Sequence, residues 1–314
     1  MLNVSRKVKT RRTATAEALL SAAPATLDRV RRGDVPKGDA LEVARIAGVQ
    51  AAKETSRIIP YCHPLPIDHV GVVFEIGVSA IRITGTATAT SRTGVEMEAL
   101  TAVSVAALTL YDMLKMFDEG MVIQSVRLLE KRGGKSEFRE SFDEAPRAAV
   151  LVISDGCAKS QREDRSGKLL QERLEGAGLK VVDYRVLPDE AGPIADALRR
   201  YADADRLDLV VTTGGTGLGP RDVTPEAMEG VIERDAPGIA EALRAYGRER
   251  TPHAMLSRGR AGLRGSTLIV NMPGSQAAAA EGLDALLSSL LHALAIVRGR
   301  GHGGHGGAAE GGPA

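Results

Sequence analysis

Residues 207–226, Leu-Asp-Leu-Val-Val-Thr-Thr-Gly-Gly-Thr-Gly-Leu-Gly-Pro-Arg-Asp-Val-Thr-Pro-Glu, constrain this chain more than any other stretch. The first five are apolar and mostly branched, broken only by Asp208, which is the composition of a buried parallel strand. Thr212, Thr213, Gly214, Gly215, Thr216, Gly217 and Gly219 follow. Thr224 then stands where an N-cap is expected, Pro225 at the first helical position and Glu226 in the first turn. The order strand, glycine-rich loop, helix exposes a main chain that a ligand can approach closely. Free N–H groups and hydroxyls there suit an anion, phosphate above all. No Gly-Lys-Ser/Thr follows, so this is not a Walker A loop, and the Gly-x-Gly-x-x-Gly spacing of dinucleotide folds is missing. Neither flavin nor nicotinamide is expected. Arg221 can neutralise phosphate charge and Asp222 can hold a divalent cation.

Around this stretch, strands expected at 148–153, 180–187 and 268–271 alternate with helices at 167–177, 194–202, 225–234, 237–248 and 277–298. That pattern predicts a three-layer α/β domain with a doubly wound parallel sheet. Such sheets bind ligands at the carboxyl ends of their strands. The loops that converge there carry Ser154 and Asp155, Asp189, the 214–222 loop, and Pro273, Gly274 and Ser275. Asp189 and Asp222, from different strand ends, suit Mg²⁺ carrying a nucleoside triphosphate; as a plain turn residue after Pro188, Asp189 would have no such task. Ser257 and Arg258 add a hydroxyl and a guanidinium suited to phosphate or carboxylate.

A length of 314 residues predicts two domains. A polar linker, Asp-Glu-Ala-Pro-Arg, places the boundary between 142 and 143. The formal net charge of +1 and the 3% aromatic content exclude a charge-driven or base-stacking nucleic-acid binder. No uninterrupted apolar run approaches the roughly 20 residues of a membrane span. Two cysteines, Cys62 and Cys157, suit a reducing cytoplasm rather than a disulfide framework. Residues 299–314 form a Gly/His-rich tail expected to be disordered.

In the first half, 15–20 suggests a short helix, and Asp39 caps a helix over 40–57 whose small residues Ala44, Gly48 and Ala51 allow close packing. Lys53 sits near its C-terminal end. Tyr61, Cys62 and His63 lie between prolines in a stiff loop that fixes where the imidazole points. No second Cys/His pair stands at ligand spacing, so zinc is not expected. A hairpin follows at 69–76 and 80–92, then a largely apolar helix at 95–117, and a strand at 121–130. On that helix Glu96, Glu98, Asp112 and Lys115 are the only charges, which are costly unless paired or used. Asp112 and Lys115 share a face. Glu98 and Asp112 are nearly in phase but about 21 Å apart at about 1.5 Å per residue. One small substrate cannot touch both in one subunit. Either there are two sites, or one site is assembled between subunits. Lys131 opens a basic, glycine-containing segment suited to phosphate.

The combination Gly-Val-Glu-Met-Glu-Ala-Leu-Thr-Ala, Tyr-Asp-Met-x-Lys, Cys-His-Pro-Leu and Lys-x-Gly-Gly-Lys-Ser resembles the MoaC family, cyclic pyranopterin monophosphate synthases, over residues 2–138. The resemblance implies a ferredoxin-like α+β fold, sites shared between subunits, and rearrangement of a cyclised dihydro-GTP with release of pyrophosphate. It implies catalytic roles for Lys53, Asp112, Lys115 and Lys131, and substrate contacts for Tyr61, Cys62, His63, Met97 and Glu98. Tyr61 stands where that family usually has Leu, and the arm before Val4 and Ser5 is short; the alternative is therefore an inactive N-terminal domain.

Thr-Thr-Gly-Gly-Thr-Gly-x-x-x-Arg-Asp-Val-Thr-Pro-Glu, Leu-Ser-Arg and Asn-x-Pro-Gly resemble the MoaB/MogA type of molybdopterin adenylyltransferase over 147–298. This implies adenylylation of molybdopterin by Mg-ATP, with Asp189 and Asp222 at the metal and in catalysis, and Gly214, Gly215, Thr216 and Gly217 as the phosphate loop. Together the two resemblances imply a bifunctional enzyme of molybdenum cofactor synthesis, cytoplasmic, acting on pterins and nucleotides, and assembled as a trimer or hexamer. The alternative for the second half is a non-catalytic pterin-binding or scaffolding module.

Overall fold

The computed structural model describes residues 1–134 and 140–299. The chain divides into two compact units, Met1–Glu137 and Phe138–Ala314. The expected tail lies outside the described residues except for Gly299.

The first unit runs β1 (Thr10–Ser21), α1 (Pro24–Arg32), α2 (Ala40–Lys53), α3 (Thr55–Ile58), β2 (His69–Ile76), β3 (Ala80–Ser91), α4 (Glu96–Leu114) and β4 (Val122–Arg132). Its sheet is antiparallel in the order β2-β3-β1-β4, the ferredoxin-like arrangement. The helix expected at 15–20 is instead part of β1. Ala14, Ala16, Ala18 and Leu20 are at most 1% exposed and alternate with the other face. This period of two against the core overrides the helix propensity of alanine. The helix expected over 40–57 stops at Lys53, because the Thr55 hydroxyl bonds back to the Ala52 carbonyl at 2.9 Å and starts a separate turn. Asp39 does cap α2, accepting from the Leu41 and Glu42 amides. The small face of α2 packs on α4 so closely that a Cβ on Gly48 would stand 2.9 Å from the Ala102 carbonyl.

Glu17 sits in the middle of this sheet at 4% exposure. Burial pushes its carboxyl up, but hydrogen bonds from Arg127 and Arg82 outweigh it and hold the group below its ordinary 4.5. A carboxyl depressed by folding stabilises the fold fully above its unfolded value, and the contribution disappears as pH falls through the lower folded value. Glu17→Gln is expected to cost about 1–3 kcal/mol at neutral pH. Thermal melts of variant and parent should converge in acid; a gap that stays constant with pH rules the charge pairing out.

The second unit runs β5 (Arg147–Ile153), α5 (Asp155–Ala158), α6 (Ser166–Gly176), β6 (Lys180–Leu187), α7 (Ala191–Arg199), β7 (Leu209–Thr213), α8 (Thr224–Glu229), β8 (Arg234–Asp235), α9 (Pro237–Arg248), β9 (Ala261–Arg264), β10 (Thr267–Met272) and α10 (Gln276–Val297). The sheet order is β6-β5-β7-β10-β9-β8. The first four are parallel; β9 and β8 add an antiparallel edge that hydrophobic pattern alone did not reveal, because both are short. Ala148, Val150 and Val152 face one helical layer while Ala149, Leu151 and Ile153 face the other, which gives three layers. The helix expected at 194–202 begins at Ala191 and ends in a π turn, Arg200–Ala204.

Two helices, Glu96–Leu114 and Gln276–Val297, are long and apolar enough to cross a bilayer, which corrects the expectation drawn from uninterrupted runs. Charges at Glu98, Glu281 and Asp284 hide that length from a run count. In the fold α4 covers the first sheet, with Ala99, Ala102, Val103, Ala106 and Leu110 fully buried, and α10 buries Leu283, Leu286, Leu290 and Leu294.

Candidate functional site

In the second unit β5, β6, β7 and β10 end at one edge. From β5 the chain crosses to β6 on one side and returns to β7 on the other, so the switch point lies between β5 and β7. A cleft of about 290 Å³ opens there. Ser154, Asp189, Gly214, Gly215, Asp222, Gly274 and Ser275, all singled out by the sequence, line it together. Arg162 and Asp164, which the sequence does not mark, line it as well.

The glycine loop is built from both sides. The Thr224 hydroxyl donates to the Gly214 carbonyl at 3.1 Å and the Thr224 amide to the Gly215 carbonyl at 3.2 Å. Thr224 thus ties the loop rather than capping α8, whose N-cap is Val223. Buried Asn271 donates to Thr212 at 2.8 Å and to the Gly214 carbonyl at 3.3 Å. The amides of Gly215, Thr216 and Gly217 meet no acceptor among the described residues. Unpaired main-chain amides in succession are the geometry that suits an anion. Gly214 has φ +106°, and a Cβ there would run into the Ile153 carbonyl. Gly214→Ala should destabilise this unit by about 2–4 kcal/mol. Chemical denaturation checks it, and an unchanged midpoint refutes the close approach.

Of the phosphate or carboxylate that Arg258 suits, it meets a carboxylate here: its guanidinium donates to Glu226, to the Gly217 carbonyl at 2.7 Å and to the Asp222 carbonyl, and its amide bonds the Thr216 carbonyl. All these contacts hold the loop, so Arg258 positions it. Ser257 and Pro273 line a separate, mostly apolar pocket of about 220 Å³ with Leu243, Tyr246, Ala254 and Ala278. Asp155 is likewise committed: Arg221 grips it at 2.9 Å, which also removes Arg221 from the role of a free phosphate ligand.

Asp189 accepts the Asp155 amide at 2.8 Å. Burial raises its carboxyl above the usual range, and the charges of Asp155 and Asp222 add to this, against the hydrogen bond. One oxygen of Asp222 accepts the Gly219 amide at 2.9 Å, leaving the other. Two oxygen-only carboxylates sharing one cleft, one of them unfavourably charged, fit a hard divalent cation. Among the described residues no cluster of three or more such side chains exists, so any metal would complete its shell with phosphate and water.

In the first unit the predicted residues fall into two groups. Lys37, just before α2, reaches Asp112 near the end of α4 at 2.9 Å, and Gly48 meets Ala102 and Ala106, so α2 and α4 are antiparallel. Lys53 therefore lies towards the Glu98 end. There Glu98, 4% exposed, is pushed up by burial and by Glu96. Cys62 is raised by burial and by the Glu98 charge. Lys131 stands 3.4 Å from Glu96. Met97 is partly exposed and Tyr61 is 78% exposed. At the other end Asp112 binds Lys115 at 2.8 Å as well as Lys37, and Lys115 first, then Lys37, hold its carboxyl down to about 2. Lys115 is raised in turn. Lys37 had no signal in the sequence beyond a lysine after Pro36; only the fold brings it to Asp112.

Residues 1–134 match the MoaC family, and residues 149–293 match a probable molybdopterin binding domain. A cyclic pyranopterin monophosphate synthase of Novosphingobium aromaticivorans is 56% identical over 136 residues, 43% of this chain and 87% of that protein. A solved structure of the molybdopterin biosynthesis enzyme MoaB from Thermus thermophilus is 46% identical, covering 49% of this chain and 97% of that one, with a TM-score of 0.47. A molybdenum cofactor biosynthesis bifunctional protein of Chlorobaculum tepidum is 43% identical over 302 residues, 96% of each chain. A relative that spans both units at that identity, over a glycine-rich loop and a paired-acid cleft in one unit and the Asp112–Lys115 pair in the other, shows that the chain belongs to the family of bifunctional molybdenum cofactor biosynthesis proteins.

Proposed function

We propose that the first unit converts cyclised dihydro-GTP to cyclic pyranopterin monophosphate with release of pyrophosphate, at a site assembled between subunits of a homo-oligomer. The observation that carries the shared site is the separation of Glu98 from Asp112 along α4, about 21 Å. With Asp112 ionised down to about pH 2 and Lys115 raised, the pair stays charged through the physiological range. Lys115 then serves as a proton donor and cation, not as a base. Glu98, raised by burial, is the carboxyl at the other half-site able to carry a proton. Lys53 and Lys131 supply charge for the substrate's phosphate groups.

The second unit, on the same reading, transfers the adenylyl group of ATP to the phosphate of molybdopterin. The supporting observation is the cleft that brings Gly215, at the start of the run of free loop amides, together with Asp189 and Asp222. Those two carboxylates would hold Mg²⁺, which neutralises the triphosphate when bound. The loop amides hold phosphate oxygens, and the rigid staples from Arg258, Asn271 and Thr224 keep them aimed without reorganisation. Cytoplasmic localisation and a trimeric or hexameric assembly belong to the same reading. The test is the purified full chain assayed for both products; calorimetry that finds pterin binding without Mg-ATP turnover selects the scaffolding alternative for the second unit.

A further inference from the structure

The cleft of the second unit does not end at its acids. An outer chamber of about 470 Å³ adjoins it, lined by Glu163, Arg165 and Gln276, and the two share Arg162, Asp164, Ser166, Gly274 and Ser275 at the seam. Arg162 differs from the other arginines around this cleft. Arg221 is bound to Asp155 and Arg258 to Glu226 and loop carbonyls. The Arg162 guanidinium has no hydrogen bond or ion pair among the described residues.

The segment that carries it is nonetheless fixed. The Arg162 amide donates to the Gly156 carbonyl at 3.2 Å. Two residues on, Asp164 accepts from the Ser166 hydroxyl and the Gly167 amide, each at 3.0 Å, and from the Tyr184 hydroxyl on β6. Asp164 is therefore anchored to the sheet, and a buttressed loop holds an uncommitted cation at the seam.

We propose that Arg162 binds the phosphate monoester of the pterin nucleophile, between the acidic inner chamber and the outer one. The proposal rests on the adenylyl-transfer reading. In that reaction a monoester oxygen attacks the α-phosphorus of the nucleotide. A new P–O bond forms, the bond from the α-phosphorus to the bridging oxygen breaks, and its electron pair leaves with pyrophosphate. A dianionic monoester needs no proton removed. The difficulty is bringing two anions together, and the acids of the inner chamber accept a triphosphate only with its metal. The monoester has to arrive in line with the departing pyrophosphate, and Arg162 is the cation that lines both chambers.

The test uses the full-length protein with molybdopterin and its dephosphorylated form as probes in calorimetry, alongside steady-state adenylylation. Arg162→Ala should weaken molybdopterin binding about 10- to 100-fold, leave the dephosphorylated pterin unaffected, and change KM for Mg-ATP by less than about twofold. Arg162→Lys should recover part of the loss. An unchanged cooperative melt shows that the variant folds. Equal molybdopterin affinity in the variant, an equal loss for the dephosphorylated form, or a rise confined to the ATP KM overturns the assignment. Should the parent bind molybdopterin but never turn over, the adenylyl-transfer reading fails, while the binding comparison still decides Arg162.

Discussion

Asp222→Asn is expected to lower adenylyl transfer by about 10³-fold or more while cyclic pyranopterin synthesis stays at the parent level. The carboxylate does two things at once. One oxygen accepts the Gly219 amide and so shapes the loop; the residue also lines the cleft that Asp189 shares. The amide of Asn can keep the first contact but carries no charge for a divalent cation. Asp189→Asn should act in the same direction, with a signature of its own. It removes a carboxyl that burial and neighbouring charges disfavour, so the protein should become slightly more heat-stable as it loses activity. Raising Mg²⁺ should recover part of the activity of either variant. Equal loss of both reactions in Asp222→Asn would contradict two independent sites.

Subunit mixing is the second large effect. Glu98→Gln alone and Lys115→Ala alone should each abolish cyclic pyranopterin synthesis. Co-assembled in equal amounts, they should regain about a quarter of parental activity if each site takes Glu98 from one subunit and Lys115 from another. The arithmetic is that only one of four donor combinations has both groups intact. If all the residues acted within one chain, no mixture would recover, because every chain lacks one of them. A mixture with no activity, in oligomers shown to contain both variants, therefore refutes the shared site.

Several elements are legible from residue order because local chemistry decides them. The run before Thr212 must be a central strand, since nothing else buries its four apolar residues, Leu207, Leu209, Val210 and Val211, on both faces, and β7 lies between β5 and β10. Asp39 caps α2 as its position requires. The helix length that separates Glu98 from Asp112 is a matter of rise per residue. The misread segments are those in which two local preferences compete. Residues 15–20 combine alanine, a helix former, with a period of two, and the neighbouring strands β3 and β4 settle the contest. The antiparallel edge β8–β9 has too few residues to show a pattern, and exists because β10 offers it a partner.

The candidate sites divide in the same way. Which residue types can handle phosphate and a hard cation is a property of the sequence: glycines, hydroxyls, Asp189 and Asp222. Which of them are free to do so is not. Arg221 and Arg258 read as phosphate ligands, yet one is held by Asp155 and the other staples the loop, whereas Arg162, in an undistinguished polar stretch, is left with an open guanidinium. A charge becomes available or occupied through partners tens of residues away, and only the packing of β5, β7 and β10 side by side brings those partners within hydrogen-bond reach. Sequence thus determined the two units, their elements and the chemistry they can support; tertiary structure decided which side chains meet, because hydrogen bonds and ion pairs act over a few ångströms of space and are indifferent to distance along the chain.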